Sequence, residues 1–170
     1  GVDVKGFNTA FAGDVPLGAG MSSSAALESA YAYAINDLFG ENKIDKFELA
    51  KVGQATEHNY IGVKCGIMDQ FASVFGKEGS LMRLDCRSLE YQYFPFKPEG
   101  YRLVLVDSVV KHELASSAYN KRRESCENVV KAIAKKHEGV EFLRDCTLEM
   151  LAEVKAEVSE EDYMRAEYVI

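Results

Sequence analysis

No two of the four cysteines, Cys65, Cys86, Cys126 and Cys146, stand in a C-x-x-C spacing. That excludes the usual zinc and dithiol redox motifs. A disulfide framework belongs to shorter chains than these 170 residues. Scattered free thiols fit a reducing compartment, so a cytoplasmic protein is expected. Positive charge is also scarce. The 20 Lys and Arg residues face 27 Asp and Glu, a formal net charge of −7. That balance argues against nucleic acid or an anionic membrane as partner. No apolar run approaches the roughly 18 residues of a membrane span. No basic-then-apolar signal peptide opens the chain. No initiator Met stands at position 1, from which a piece of a longer protein is expected.

What is present suits a soluble globular domain. Hydrophobic residues make up 47% of the chain and charged residues 28%, enough of each for a buried core and a solvated surface. The pattern along the chain is α+β, without repeats or low-complexity segments. Residues 7–15, "FNTAFAGDV", look strand-like. Residues 22–39 read as a helix, with Leu27, Ala30, Tyr31, Ala34 and Leu38 at helical spacing and Gly40 as its stop. A second helix is predicted over 45–60, capped by Asp45 with Glu48 three residues on. A third covers 66–75 and closes at Gly76. Three short strands are then predicted: "SLMRLDC" at 80–86, "YQYFPF" at 91–96 and "YRLVLVDS" at 101–108. From Glu113 the chain reads as helical, with a long amphipathic helix over 119–137. Two further helices, 147–158 and 159–170, each open on a capping residue.

Two stretches carry chemistry. The first is "PLGAGMSSSAALESA", Pro16 to Ala30. A glycine-rich turn feeding a helix presents free backbone N–H groups at the positive end of the dipole, which suits an anion. Gly18 and Gly20 let the backbone approach phosphate oxygens closely. The hydroxyls of Ser22, Ser23 and Ser24 donate to phosphate and can ligate Mg²⁺. Other phosphate loops fit worse. No Lys stands where a Walker A loop needs one, and Ser23 occupies the third glycine position of a dinucleotide fingerprint. A well-capped helix after a tight turn explains part of the pattern, but three consecutive serines exceed what capping requires.

The second stretch is "TEHNYIGVKCGIMDQFAS", Thr56 to Ser73. Asp69 sits at a glycine-flanked helix start, where packing could hold its carboxylate to orient a substrate hydroxyl or accept its proton. Glu57, twelve residues earlier on a separate helix, could serve a metal beside the same substrate. The plain alternatives are that Asp69 caps a helix and Glu57 is solvated. Lys121, Arg122 and Arg123 read as a solvated face. His58 and His137 read as surface or packing residues, and Tyr31 and Tyr33 as packing.

Together these stretches resemble the GHMP small-molecule kinases. Pro16 to Ser24 is similar to the family's Pro-x-Gly-x-Gly-Leu-(Gly/Ser)-Ser-Ser motif, with Met21 in the leucine position. The segment "CGIMDQF" and the stretch "HELASSAYNKRRESCE", 112–127, resemble the branch that phosphorylates galactose. The resemblance implies a two-lobe fold: a partial N-terminal α+β lobe of the ribosomal-protein-S5-like type over 1–98, then the start of the C-terminal lobe over 99–170. It implies that Gly18, Ala19, Gly20, Met21, Ser22, Ser23 and Ser24 wrap the phosphates of ATP. It implies that Ser24 and Glu57 hold Mg²⁺. Asp69 would act on the sugar C1 hydroxyl, with Gly66 and Tyr119 against the sugar. The small-molecule partners would be ATP and D-galactose.

Neither the family's first motif, Arg-x-Asn-(Leu/Ile)-Ile-Gly-Glu-His-x-Asp, nor its Gly-rich third motif occurs in these residues. The chain alone is therefore expected to be weakly active or inactive. Sister kinases of N-acetylgalactosamine or arabinose remain open. So does a galactose- and ATP-binding sensor that signals through a protein partner, although the intact "GMSSSAALE" loop favours catalysis. A plain helical scaffold is the remotest reading.

Overall fold

The structure, a computed structural model, describes residues 1–106 and 115–170. The chain forms two compact units that divide between positions 113 and 114.

The first unit begins with helix α1, Ser23–Gly40. Its alanine-rich run favours helix and keeps its surface thin enough for close neighbours. The helix ends at Gly40 as expected, but Gly40 itself is not left-handed. That conformation falls on Glu41 and Asn42, at φ 52° and 56°. Gly40 is instead buried, because a Cβ there would meet Asn36 Oδ1 at 2.7 Å. The Asn36 amide needs that space. Its Nδ2 donates to Ile44 O at 2.9 Å, and its Oδ1 accepts from Ile44 N at 3.1 Å.

Helix α2, Lys46–Thr56, starts at Asp45, whose side chain accepts from Glu48 N as expected. A π-helical turn, Glu57–Ile61, continues it and ends at Gly62 with φ 80°. Helix α3, Met68–Phe75, follows. Helices α1, α2 and α3 pack pairwise on one another. The core they share holds Leu49, Ala50, Ile67, Phe71, Val74 and Phe75. Tyr33 Oη also donates to Val74 O at 3.3 Å, so Tyr33 packs α1 on α3.

Strands β1, Ser80–Leu84, and β2, Tyr91–Pro95, form an antiparallel hairpin in the register Ser80↔Pro95 to Leu84↔Tyr91. The alternate residues Met82 and Leu84 turn toward the helical core. Asp85 closes the connection by accepting from Arg87 N and Ser88 N.

Two predicted strands differ. Residues 7–15 are not a strand: Phe7 packs on Phe39 and Phe11 on Tyr31, rings of α1. Residues 101–106 are exposed non-strand chain, and 107–108 of that expected strand lie outside the described residues. A strand persists only where a second strand accepts its ladder. Among the described residues the only ladder joins β1 to β2.

The second unit holds α4, Ala115–Ala134, a 3₁₀ turn at Leu143–Asp145, α5, Leu148–Glu153, and α6, Glu160–Val169. The expected start of helical chain at Glu113 lies outside the described residues. Thr147 and Ser159 cap α5 and α6 through their hydroxyls, as expected. The helix predicted over 147–158 stops early, at Glu153, and tight turns follow. Val154, the residue that closes the helix, enters the core with Val129, Ile133, Leu143 and Leu151. Arg165 on α6 donates to Ser125 Oγ on α4 at 2.8 Å. No described helix is long and apolar enough to cross a membrane.

Candidate functional site: an anion-ready helix end and a buried carboxyl pair

The turn before α1 is left-handed at alternate positions: Gly18 at φ 71°, Gly20 at φ 70° and Ser22 at φ 55°. For the glycines this is free. For Ser22 it costs on the order of 1–2 kcal/mol. Strain of that size is characteristic of ligand-binding turns. Ser22 occupies the cap position of α1, yet its side chain makes no capping bond, and the first turn carries no acidic residue. The leading N–H groups of α1 therefore lack the side-chain acceptor that usually satisfies them. Ala19 is half-buried, Gly18, Gly20 and Met21 are exposed, Ser22 and Ser23 are half-buried, and Ser24 is exposed. A backbone open on one side, with hydroxyls around it, can receive an anion.

Ser24 and Glu28 are one turn apart on α1 and share a face. Glu28 leads to Glu57, since the two carboxyls are hydrogen-bonded. Glu57 is not solvated: it is 7% exposed, at the head of the π-helical turn. Burial above all, and then the charge of Glu57, push the Glu28 carboxyl from its ordinary 4.5 up to about 7, against the opposing hydrogen bond from Gln70. The folded state thus favours protonated Glu28. Its contribution to stability is complete below pH 4.5 and is lost as the pH rises through about 7. Glu28→Gln keeps the shape without the charge. It is expected to raise the melting temperature at pH 8 and to leave it nearly unchanged at pH 4. An equal effect at both pH values would refute the assignment.

Asp69 stands in the first turn of α3 and is half-buried. It does not cap that helix, because the cap position is Ile67 and no side chain closes it. The approach to Asp69 is held at Cys65, whose carbonyl accepts from Gln54 Nε2 at 3.2 Å and from His58 Nε2 at 2.8 Å. His58 thus fastens the loop that carries exposed Gly66. The second unit carries Tyr119, on α4, 45% exposed. Arg123 pairs with Glu127 at 2.9 Å, and His137 with Glu153 at 3.0 Å.

Residues 1–77 match the family model for the GHMP kinases N-terminal domain. The curated relatives include a Thermotoga maritima galactokinase, 56% identical over 72% of this chain and 35% of its own length. Residues 1–77 belong to the GHMP kinase family. A Roseiflexus galactokinase is 41% identical across 100% of this chain and 43% of its own length. The crystal structure of Lactococcus lactis galactokinase complexed with galactose superposes with a TM-score of 0.79 at 28% identity. That match covers 93% of this chain and 40% of the other. The mixed α and β architecture is therefore the GHMP fold, with a partial N-terminal lobe. The chain spans 35% to 43% of the length of these galactokinases.

Among the described residues no three His, Cys, Asp or Glu side chains gather as a metal cage. Mg²⁺ that travels with a nucleotide takes one or two carboxylates and completes its shell with phosphate and water. The buried Glu57 carboxylate and the Ser24 hydroxyl, one turn from Glu57's partner Glu28, are hard oxygen donors of that kind.

Sequence reasoning missed Glu28, Gln70 and Gly53. Gln70 had a signal. It falls among Ile67, Phe71 and Val74 on the apolar face of α3, where a polar residue needs a reason. Glu28 had a weaker one, its place four residues after Ser24.

Proposed function

We propose that the protein carrying this chain is an ATP-dependent kinase of D-galactose, active in the cytoplasm. It would transfer the γ-phosphoryl group to the C1 hydroxyl, giving galactose 1-phosphate and ADP. The observation that carries this reading is the uncapped, left-handed entry to α1, built to receive phosphate oxygens. The galactokinase relatives supply the sugar.

In this reading residues 1–98 belong to the N-terminal kinase lobe and 99–170 begin the C-terminal lobe. Gly18 to Ser24 wrap the nucleotide phosphates with backbone N–H groups and hydroxyls. Mg²⁺, when bound with the nucleotide, neutralises charge on the β- and γ-phosphates, and Ser24 and Glu57 would hold it. Asp69 aligns the C1 hydroxyl and takes its proton as the oxygen bonds to the γ-phosphorus. The bond from γ-phosphorus to the bridging oxygen breaks, and ADP leaves with that oxygen. Positioning and charge stabilisation carry such a transfer. Gly66 leaves room for the sugar, and Tyr119 would contact it.

The deciding experiment measures ADP release by the intact protein with Mg·ATP and galactose, N-acetylgalactosamine, arabinose or glucose. Turnover on galactose well above the others supports the reading. Preference for another of these sugars reassigns the substrate. Galactose binding without any turnover makes the protein a sensor and overturns the catalytic role of Asp69.

A further inference from the structure

Gln70 is 2% exposed, beside Asp69 in the first turn of α3. Its Nε2 donates across to Glu28 Oε2 on α1, a long contact at 3.4 Å, and lies 3.9 Å from Cys65 Sγ. Its Oε1 is buried with no hydrogen-bond partner. Helix α2 makes room for this contact. A Cβ on Gly53 would come within 2.9 Å of Gln70 Cγ and 3.6 Å of Glu28 Oε2. Three helices thus converge on one amide that is only half satisfied.

An orphaned buried oxygen lowers stability, and an apolar side chain of the same length would avoid that cost. Gln70 is a poor choice for stability alone. Glu28, the group it grips, is hydrogen-bonded to Glu57, the buried carboxyl at the head of the π-helical turn.

We propose that Gln70 is a positioning residue that fixes Glu28 against Glu57, and so sets the Glu57 carboxylate for the cation that accompanies the nucleotide. This rests on the kinase reading above. Gln70 touches neither substrate nor cation and acts through Glu28. It also ties α1, which carries the phosphate turn, to the first turn of α3, which carries Asp69.

The test is calorimetric binding of ADP to the intact protein at pH 6, with Mg²⁺ and separately with EDTA. The wild type is expected to bind ADP more tightly with Mg²⁺. In Gln70→Met that Mg²⁺-dependent gain should shrink about 10-fold or more, the usual effect of losing a group that orients a metal ligand. ADP affinity in EDTA should not change, and thermal stability should be kept or raised. Glu28→Leu, which can neither accept from Gln70 nor donate to Glu57, should lose the gain as well, and the double variant should be no worse than either single one. A purely structural Gln70 would lower stability and leave the gain intact, which overturns the proposal. Additive losses in the double variant overturn it too. Should Gln70→Met fail to fold, Glu28→Leu decides alone, and an unchanged gain there refutes the proposal. Failure of the wild type to bind ADP at all defeats the kinase reading itself, an outcome distinct from an undiminished gain in the variants.

Discussion

Asp69→Asn in the intact protein should lower kcat for galactose by on the order of 10²–10⁴-fold, the range for loss of a positioned acid–base group. The KM for Mg·ATP should stay within about twofold, because the phosphate turn lies on α1 and Asp69 on α3. Asn has the same shape, so packing survives. The fold loses only the favourable placing of a carboxylate near a helix N-terminus, ~0.3–1 kcal/mol. Asp69 caps nothing, so no capping bond is lost either. A thermal melt alongside the kinetics separates the two effects. A near-native kcat would remove Asp69 from the chemistry. A matching collapse of melting temperature and kcat would give it a structural role instead.

The chemistry of this site was more legible in the sequence than its geometry. The serine-rich turn and the acidic helix start are local patterns, and so are the capping residues Asp45, Thr147 and Ser159. Each depends on neighbours within four positions, which the sequence displays directly. The Glu28–Glu57 pair depends on contacts between residues 29 positions apart, and Gln70 reaches 42 positions back to Glu28. No periodicity encodes such contacts. The π-helical turn was hidden for a related reason. Glu57–Ile61 has ordinary helical composition, and the widened turn sends Glu57 into the interior. Gly40 ends α1 as read, but not through the left-handed conformation that a glycine at a helix end usually supplies. Here it supplies space for Asn36, and Glu41 takes the strained conformation. Residues 7–15 and 101–106 have strand composition, but strand formation is a property of two segments and not of one.

The largest loss of stability in the first unit is expected from Phe71→Ala. Phe71 is fully buried on α3, two residues after Asp69. Its ring stacks on Phe75 at 4.1 Å and 10°, and meets Phe47 at 5.8 Å and Tyr91 at 5.4 Å. It therefore joins α2, α3 and β2 in one aromatic cluster. Removing it deletes the buried surface and leaves a cavity that rigid rings cannot fill, at a cost of about 3–5 kcal/mol. Phe71→Leu refills most of that volume and should lose much less. Denaturant titration of the intact protein gives the size of the effect. Hydrogen exchange locates it, with amides of α2 and α3 losing protection first. The same change should also weaken function, because α3 carries both Asp69 and Gln70 in its first turn. If Phe71→Ala unfolds no more easily than Phe71→Leu, the aromatic cluster is not what anchors α3. The position of Asp69 would then have to come from the Cys65 carbonyl, held by Gln54 and His58.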